Sequence, residues 1–443
     1  MSLLQAGWSK IVITPEIGAA LTGFSAREGV STGVHDDLYV RSLAIESDGR
    51  AAALVSVEVL ALEGDFVGVV KQAIERRTGI PAANTLIACT HAHAGPVTVK
   101  SFFNPNEEVD EAYMARLAAA IEQSAAEAWE RRAPATVGWG AARVTGVGVN
   151  RRDPEHGYVD QDAGILKVCD AEGVVRAVLV HYACHPTVLG PNNLLVTGDF
   201  PAAALGEVER AIGGFAMFFN GAQGDISMGH SSDLSAIGVI APGRTFEHAA
   251  ELGERLAGAV LAELPRIPTA AVTLEAASVL AEVPLKSYPP AEELARESRI
   301  AQEHLESLAG RGIEDPELRQ AKTEALYTSI NQYLAGFNSE YPAGFLPLEL
   351  QGLRIGEMVL IGLPAEAFAE VGRSIKSACG SKILIVGLAN GYFGYVPCRQ
   401  AYLEGGYEIA SSRFAPEAED ALAAAAAKLA MEMSEERKPQ HGA

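Results

Sequence analysis

The sequence predicts an α/β protein: a mixed β-sheet core with helices on its outside and an active site at strand ends. Three observations carry this. Short apolar runs rich in Ile, Leu, Val and Phe recur and end in turns loaded with small and polar residues: TLIACTHAHAGP (85–96), RAVLVHYACHPT (176–187), FAMFFNGAQGDIS (215–227), MVLIGLPAE (358–366) and ILIVGLANGYFGY (383–395). Such runs read as strands buried on both faces. Between them lie stretches with helical periodicity, and that alternation marks a sheet covered by helices. Open α/β sheets bind ligands at the carboxyl ends of their strands, so the polar turns are expected to converge on one pocket.

The helices follow from spacing. Over about 109–132, Tyr113, Leu117, Ile121, Ala125 and Trp129 recur four apart on one face. Further helices are expected after Asp199, over about 245–264, and over the Ala-rich stretch 416–434. The segment 289–335 is polar and charge-mixed, and reads as a helical insertion or hairpin broken near Gly310–Gly312. It suits a lid, a dimer contact or a solvated insert. No linker composition divides the chain, so residues 1–443 are expected to form one large domain.

Composition narrows the function. A net charge of −21 repels nucleic acid and anionic lipid over most of the surface. The five cysteines are odd in number and lack C-x-x-C spacing, which fits a reducing compartment better than a disulfide framework. The N-terminus lacks the basic-then-apolar pattern of a secretory leader, so a cytoplasmic location is expected unless a native leader is missing. No apolar run is long enough to span a membrane.

The chemistry-bearing residues sit at the predicted strand ends. His91 and His93 form an H-x-H pair, and in a strand residues i and i+2 face the same side, where two imidazoles can meet one cation. A hydrogen-bonded structural pair is the plain alternative. His185 ends the next run, while His181 lies inside it and is expected to pack. Asp199 either caps a helix or orients a metal-bound histidine. Ser227 follows a Gly-rich turn that can offer N–H groups to an oxyanion, but it is no G-x-S-x-G elbow. Glu366 follows a buried strand and needs a partner such as a metal or a helix N-terminus. The tyrosines of 389–407 suit a pocket wall or simple packing.

In order along roughly residues 6–412, these segments resemble the catalytic domain of neutral (non-lysosomal) ceramidases. The matching stretches are AGWSKIVITP, LTGF, GVHDDLYVRSLAI, THAHAGP, VNRRDP, HYACHPTVL, LVTGDF, GAQGDIS, LPAEAF and NGYFGYV…GGY. The resemblance implies one zinc ion per chain, held by His91, His185, Glu366 and Tyr395. It implies that His93 polarises substrate or water beside the metal, that Arg151 contacts substrate, that Ser227 is the active-site serine and that Tyr407 hydrogen-bonds the reacting carbonyl. The implied reaction is cleavage of an N-acyl amide, ceramide-like or otherwise, by water activated at the metal, with Ser227 as covalent nucleophile ranked second. The chain departs from the family in having VTVKSFFNP (97–105) after the H-x-H segment, and it corresponds to a short form without the C-terminal β-sandwich. Two other functions remain open: a zinc hydrolase of a small soluble amide or ester, and a non-catalytic binder that keeps the pocket. A phosphoesterase would need more Asp and His ligands than these segments supply. Acyl length and oligomeric state are not encoded legibly.

Overall fold

The computed structural model describes residues 4–100, 108–379 and 382–434; part of the divergent stretch after the H-x-H segment, 101–107, lies outside them. Two sheets form the core. The larger contains β1 (Gln5–Val12), β2 (Tyr39–Ser47), β3 (Arg50–Val57), β4 (Thr85–Cys89), β5 (Ala133–Arg143), β6 (Asp162–Asp170), β7 (Val175–Tyr182) and β8 (Phe215–Asn220), in the order β8-β7-β6-β5-β1-β2-β3-β4. The two outermost pairs, β3–β4 and β7–β8, are parallel and the rest antiparallel. The smaller contains β9 (Leu274–Pro284), β10 (Phe345–Ile355), β11 (Met358–Gly362) and β12 (Ile383–Val386) in that order, with β11–β12 parallel. The expected mixed sheet with outer helices is therefore present, but divided in two.

The strands are apolar on both faces because each sheet is covered on both. Side chains alternate along a strand. In β7 and β8, Leu179, Met217 and Phe219 point at the smaller sheet, where they meet Leu353, Leu360, Leu384 and Val386. Their neighbours Val178, Val180 and Phe218 point outward at Phe200, Val208, Leu252 and Leu256. These belong to α3 (Asp199–Ile212) and α4 (Phe246–Glu263), while α1 (Gly64–Thr78) and α2 (Glu111–Glu130) cover β2–β4 through Val67, Ile74, Leu117 and Ile121. On the other side, Val359, Ile361 and Ile385 meet Val371, Ile375, Leu422 and Leu429 from α7 (Ala369–Cys379) and α8 (Ala418–Ser434). Four layers result: helices, sheet, sheet, helices. Each fully buried Leu or Ile in them contributes about 1.5–3 kcal/mol.

Local chemistry sets the helix starts. The Asp110 carboxylate accepts from the N–H groups of Ala112 and Tyr113 at the head of α2, and Thr245 accepts from His248 N–H at the head of α4. Along α2, Tyr113, Leu117, Ile121 and Ala125 are buried as their spacing predicts, while Trp129 packs half-buried against a small cluster around Ala44 and Ile80.

The polar stretch near 289–335 forms α5 (Ala291–Ser307) and α6 (Pro316–Ser339), with Gly310 at positive φ in the turn between them. It is attached to the site. Tyr327 of α6 donates to Asp233 and Lys322 donates to the Ile237 carbonyl, so the hairpin braces the short helix Ser232–Ala236. Among the described residues, no helix is long and apolar enough to cross a membrane.

Candidate functional site

Five strand ends meet at one place, as the polar turns predict. Beyond β4, the backbone at His91 takes a left-handed conformation with φ 72°. The strand has already ended at Cys89, so His91 and His93 share a pocket through a tight turn rather than through the pleat of a strand. His91 N–H donates to the Val59 carbonyl (3.1 Å), and its ring Nδ1 lies 2.9 Å from the Leu60 carbonyl. Beyond β7, His185 N–H donates to the Ile226 carbonyl, and its Nδ1 lies 2.8 Å from the Gln223 carbonyl. A carbonyl oxygen can only accept, so Nδ1 carries the proton in both rings. In the neutral ring each Nε2 is then left with a lone pair.

Both lone pairs point at one atom. Glu366 follows β11 and pairs with Tyr395 in a short parallel bridge. Its Oε2 lies 3.1 Å from His91 Nε2 and 3.0 Å from His185 Nε2, and its Oε1 accepts a hydrogen bond from the Tyr392 hydroxyl at 2.8 Å. All three groups are buried. Burial holds the His185 imidazole down to about 4, helped by the Arg151 charge, so no proton sits on Nε2 at neutral pH. Two lone pairs and a carboxylate oxygen converging in a buried site are in conflict unless a cation lies among them. The donor set of two imidazoles and a carboxylate fits a zinc-type ion.

His93 stands beside this triad. Its ring centroid is 4.7 Å from that of His91 and 5.8 Å from that of His185, and donor nitrogens of the three rings all lie within 4.8 Å of one another. Both His93 nitrogens are buried without a hydrogen-bond partner. Burial and the neighbouring imidazoles depress its pKa strongly, so it is neutral. Gly23 makes room for it: a Cβ there would come 2.7 Å from the His93 ring, and the backbone φ of +104° favours glycine anyway. The contacts to Glu366 are the shorter ones, which makes His91, His185 and Glu366 the tighter triad.

The other expected residues divide. Tyr395 and Tyr407 are buried beside the triad, with ring centroids 6.2 Å apart, and Tyr395 stacks 6.3 Å from His185. Burial raises both hydroxyls well above their usual range, so they stay protonated. The Tyr395 hydroxyl accepts from Arg151 Nη2 at 3.2 Å. Arg151 also donates from Nη2 to the Gly224 carbonyl and from Nε to Glu408, so much of its donor capacity already braces the wall. Ser227 is buried in a short antiparallel bridge with Val149, its Oγ has no hydrogen-bond partner, and it is not among the cavity-lining residues. Asp199 does not touch His185; its carboxylate accepts from the N–H groups of Val188, Leu189 and Phe200 and ties the loop after His185 to the head of α3. His181, expected to pack, lies inside β7 and contacts the Ile385 carbonyl across the two sheets.

Three residues go beyond what the sequence reading singled out. Tyr392 holds the free oxygen of Glu366. Glu408 is fully buried and pairs with both Arg151 and Arg152. Asn220, at the end of β8, accepts from Cys184 N–H and donates to the carbonyls of Thr90 and Cys184, joining the residues that immediately precede His91 and His185. Tyr392 and Asn220 stood in stretches already marked as polar turns, without a role of their own, while Glu408 depends on partners remote in sequence.

His91 and Glu366 line a cavity whose wall also includes Phe24, His93, Arg151, Thr187, His230, Ser235, Arg244, Tyr395 and Tyr407.

A family model described as neutral/alkaline non-lysosomal ceramidase, N-terminal, matches residues 5–227. The chain is similar to two curated proteins named neutral ceramidase. That of Pseudomonas aeruginosa is 23% identical over 93% of this chain and 69% of its own length. That of Mycobacterium tuberculosis is 26% identical over 93% of this chain and 74% of its own length. The fold matches the crystal structure of the Pseudomonas aeruginosa neutral ceramidase with a TM-score of 0.76 at 20% identity, covering 98% of this chain and 75% of that one. A ceramidase complexed with C2 matches with a TM-score of 0.74 at 18% identity, with the same coverage.

Proposed function

The chain belongs to the neutral/alkaline non-lysosomal ceramidase family, a family of amide-bond hydrolases, and from that membership we propose that it cleaves an N-acyl amide with a zinc-type ion held by His91, His185 and Glu366. One observation carries the reading. Two histidines, each with Nδ1–H committed to a backbone carbonyl, aim their Nε2 atoms at the same carboxylate oxygen at 3.0–3.1 Å, beside a cavity that His91 and Glu366 line. When bound, such an ion supplies Lewis acidity to a water or carbonyl oxygen.

The chain's own groups do the rest. Tyr392 holds Glu366 by its outer oxygen and so fixes the inner one toward the histidines. His93, neutral and unpartnered, faces the place where a carbonyl would lie and can donate to its oxygen. The protonated Tyr407 hydroxyl is the second group suited to that task. Arg151 keeps Tyr395 against the metal end and, through Glu408, fixes the wall opposite. Tyr395 remains a candidate fourth ligand, though burial works against the tyrosinate that strong ligation would need. The unpartnered Ser227 Oγ has no base to take its proton, which supports water rather than serine as the nucleophile. The products are a carboxylic acid and an amine. Family membership makes ceramide a substrate to include, beside shorter N-acyl amides.

The test is hydrolysis of an N-acyl ethanolamine and ceramide series by the parent, the chelator-treated protein, the zinc-restored protein and His185→Ala. Turnover that is lost on chelation, restored by zinc and absent in His185→Ala is expected. Full turnover by His185→Ala would overturn the reading.

A further inference from the structure

The cavity wall away from the triad has a charge pattern that hydrolysis of a neutral amide does not require. Arg244 lines it, and among the described residues no carboxylate lies within ion-pair distance of its guanidinium. Its Nη1 donates to the Leu189 carbonyl at 3.3 Å and its Nη2 to Ser235 Oγ, while its Nε is buried without a partner. His230 lines the same wall, and its Nε2 is also buried and unpartnered. A second guanidinium, that of Arg27, flanks the cavity residue Phe24 at 5.0 Å, with Arg244 at 5.7 Å from the same ring. Among the described residues the one carboxylate that lines the cavity, Glu366, is already engaged by two histidines and Tyr392. Burying a guanidinium whose charge is supported from beyond ion-pair distance, by an Asp199 carboxylate that already accepts three backbone N–H groups, is costly. In a chain with a net charge of −21, the arrangement is hard to explain by packing and is explained by an anionic ligand. The fork of an Arg guanidinium matches a carboxylate in particular.

We infer that Arg244, His230 and Ser235 form an anion subsite, and that the preferred substrate is an N-acyl amide carrying a carboxylate near the scissile bond. This rests on the reading of the site as an amide hydrolase and deepens it by naming the substrate class. The carboxylate can belong to the amine part, as in an N-acyl amino acid, or to the acyl part, as in a dicarboxylic monoamide. The guanidinium fork would recognise the same carboxylate chemistry in either source.

The experiment measures binding and turnover separately. The intact protein, zinc-loaded and chelator-stripped, is titrated calorimetrically with N-octanoylglycine, the monoethanolamide of a dicarboxylic acid, and neutral N-octanoylethanolamine. A carboxylate probe should bind roughly 10–100-fold more tightly than the neutral one, the range of a charged hydrogen bond. Which of the two does so identifies the side of the amide. The stripped protein should keep the preference, because the subsite does not include the metal ligands. Arg244→Gln should bring the ratio close to one, while Arg244→Lys, which keeps the charge without the fork, should retain part of it. Equal binding of all three probes by the parent, or a carboxylate preference that survives in Arg244→Gln, overturns the inference. A preference that depends on Arg244 with no probe hydrolysed upholds the subsite and defeats the hydrolase reading. Hydrolysis of the neutral probe without any preference does the reverse.

Discussion

At the scale of single residues, the site is built by removing alternatives. A histidine can present either nitrogen, but carbonyls at Leu60 and Gln223 take the Nδ1 protons of His91 and His185 and so decide which one faces inward. A carboxylate can present either oxygen, and Tyr392 takes one of them. Strain is placed here too: of the five non-glycine residues at positive φ among the described residues, His91, Asp199, Leu388 and Asn390 lie in the loops that follow core strands or open the helix behind His185. Groups that orient a ligand typically change metal affinity 10–100-fold when removed. Tyr392→Phe should therefore weaken zinc binding by roughly 10–100-fold with the fold intact, read by competition with a chromophoric chelator. Unchanged affinity would mean that Glu366 is held by its backbone alone. The histidines and Glu366 were legible because they are polar residues placed where apolar strands stop. Tyr392 was not separable from Tyr395, since both stand in one Tyr- and Gly-rich stretch and only the turn at Gly391 and Gly394 decides which hydroxyl reaches the carboxylate.

Elements matter through their ends. Strands β4, β7, β8, β11 and β12 stop together, and their last residues are joined sideways by groups that belong to none of the expected chemistry. Asn220 is the clearest. Its amide binds Thr90 and Cys184, so the spacing between the two metal-facing histidines is set by a residue on a third strand. Asn220→Ala leaves these buried backbone groups unsatisfied and should cost about 2–4 kcal/mol in urea unfolding, with a loss of zinc affinity beside it. A cost near zero would show that the loops hold themselves. The apolar runs and helical periods revealed where elements lie, including α2 and the hairpin α5–α6. They did not reveal two sheets, because a strand covered by a helix and a strand covered by another strand are equally apolar. The attachment of the hairpin was also hidden: Tyr327 and Lys322 read as ordinary polar positions of a mixed-charge helix until the short helix at 232–236 is seen against them.

For the whole molecule, charge and layering pull in different directions. The acidic surface sets the solvent-facing character, while the four apolar layers create a buried floor that carries imidazoles and the Arg244 guanidinium. Composition was enough to disfavour nucleic acid as a partner. It gave no hint of the cationic cavity, because Arg27, Arg151 and Arg244 are scattered in sequence and only the folded chain gathers them. Five of the motifs, THAHAGP, HYACHPTVL, GAQGDIS, LPAEAF and NGYFGYV, lie at or just beyond strand ends, and strand ends are what this fold brings together.

The central claim is that His91, His185 and Glu366 hold one divalent ion, and elemental analysis addresses it most directly. The parent, His91→Ala, His185→Ala and Glu366→Gln are stripped with chelator, resupplied with zinc, dialysed, and checked for folding by circular dichroism before counting. One zinc per chain in the parent and essentially none in the three folded variants is the predicted result. A folded His185→Ala protein that retains a full equivalent of zinc, or a folded parent that retains none, would contradict it.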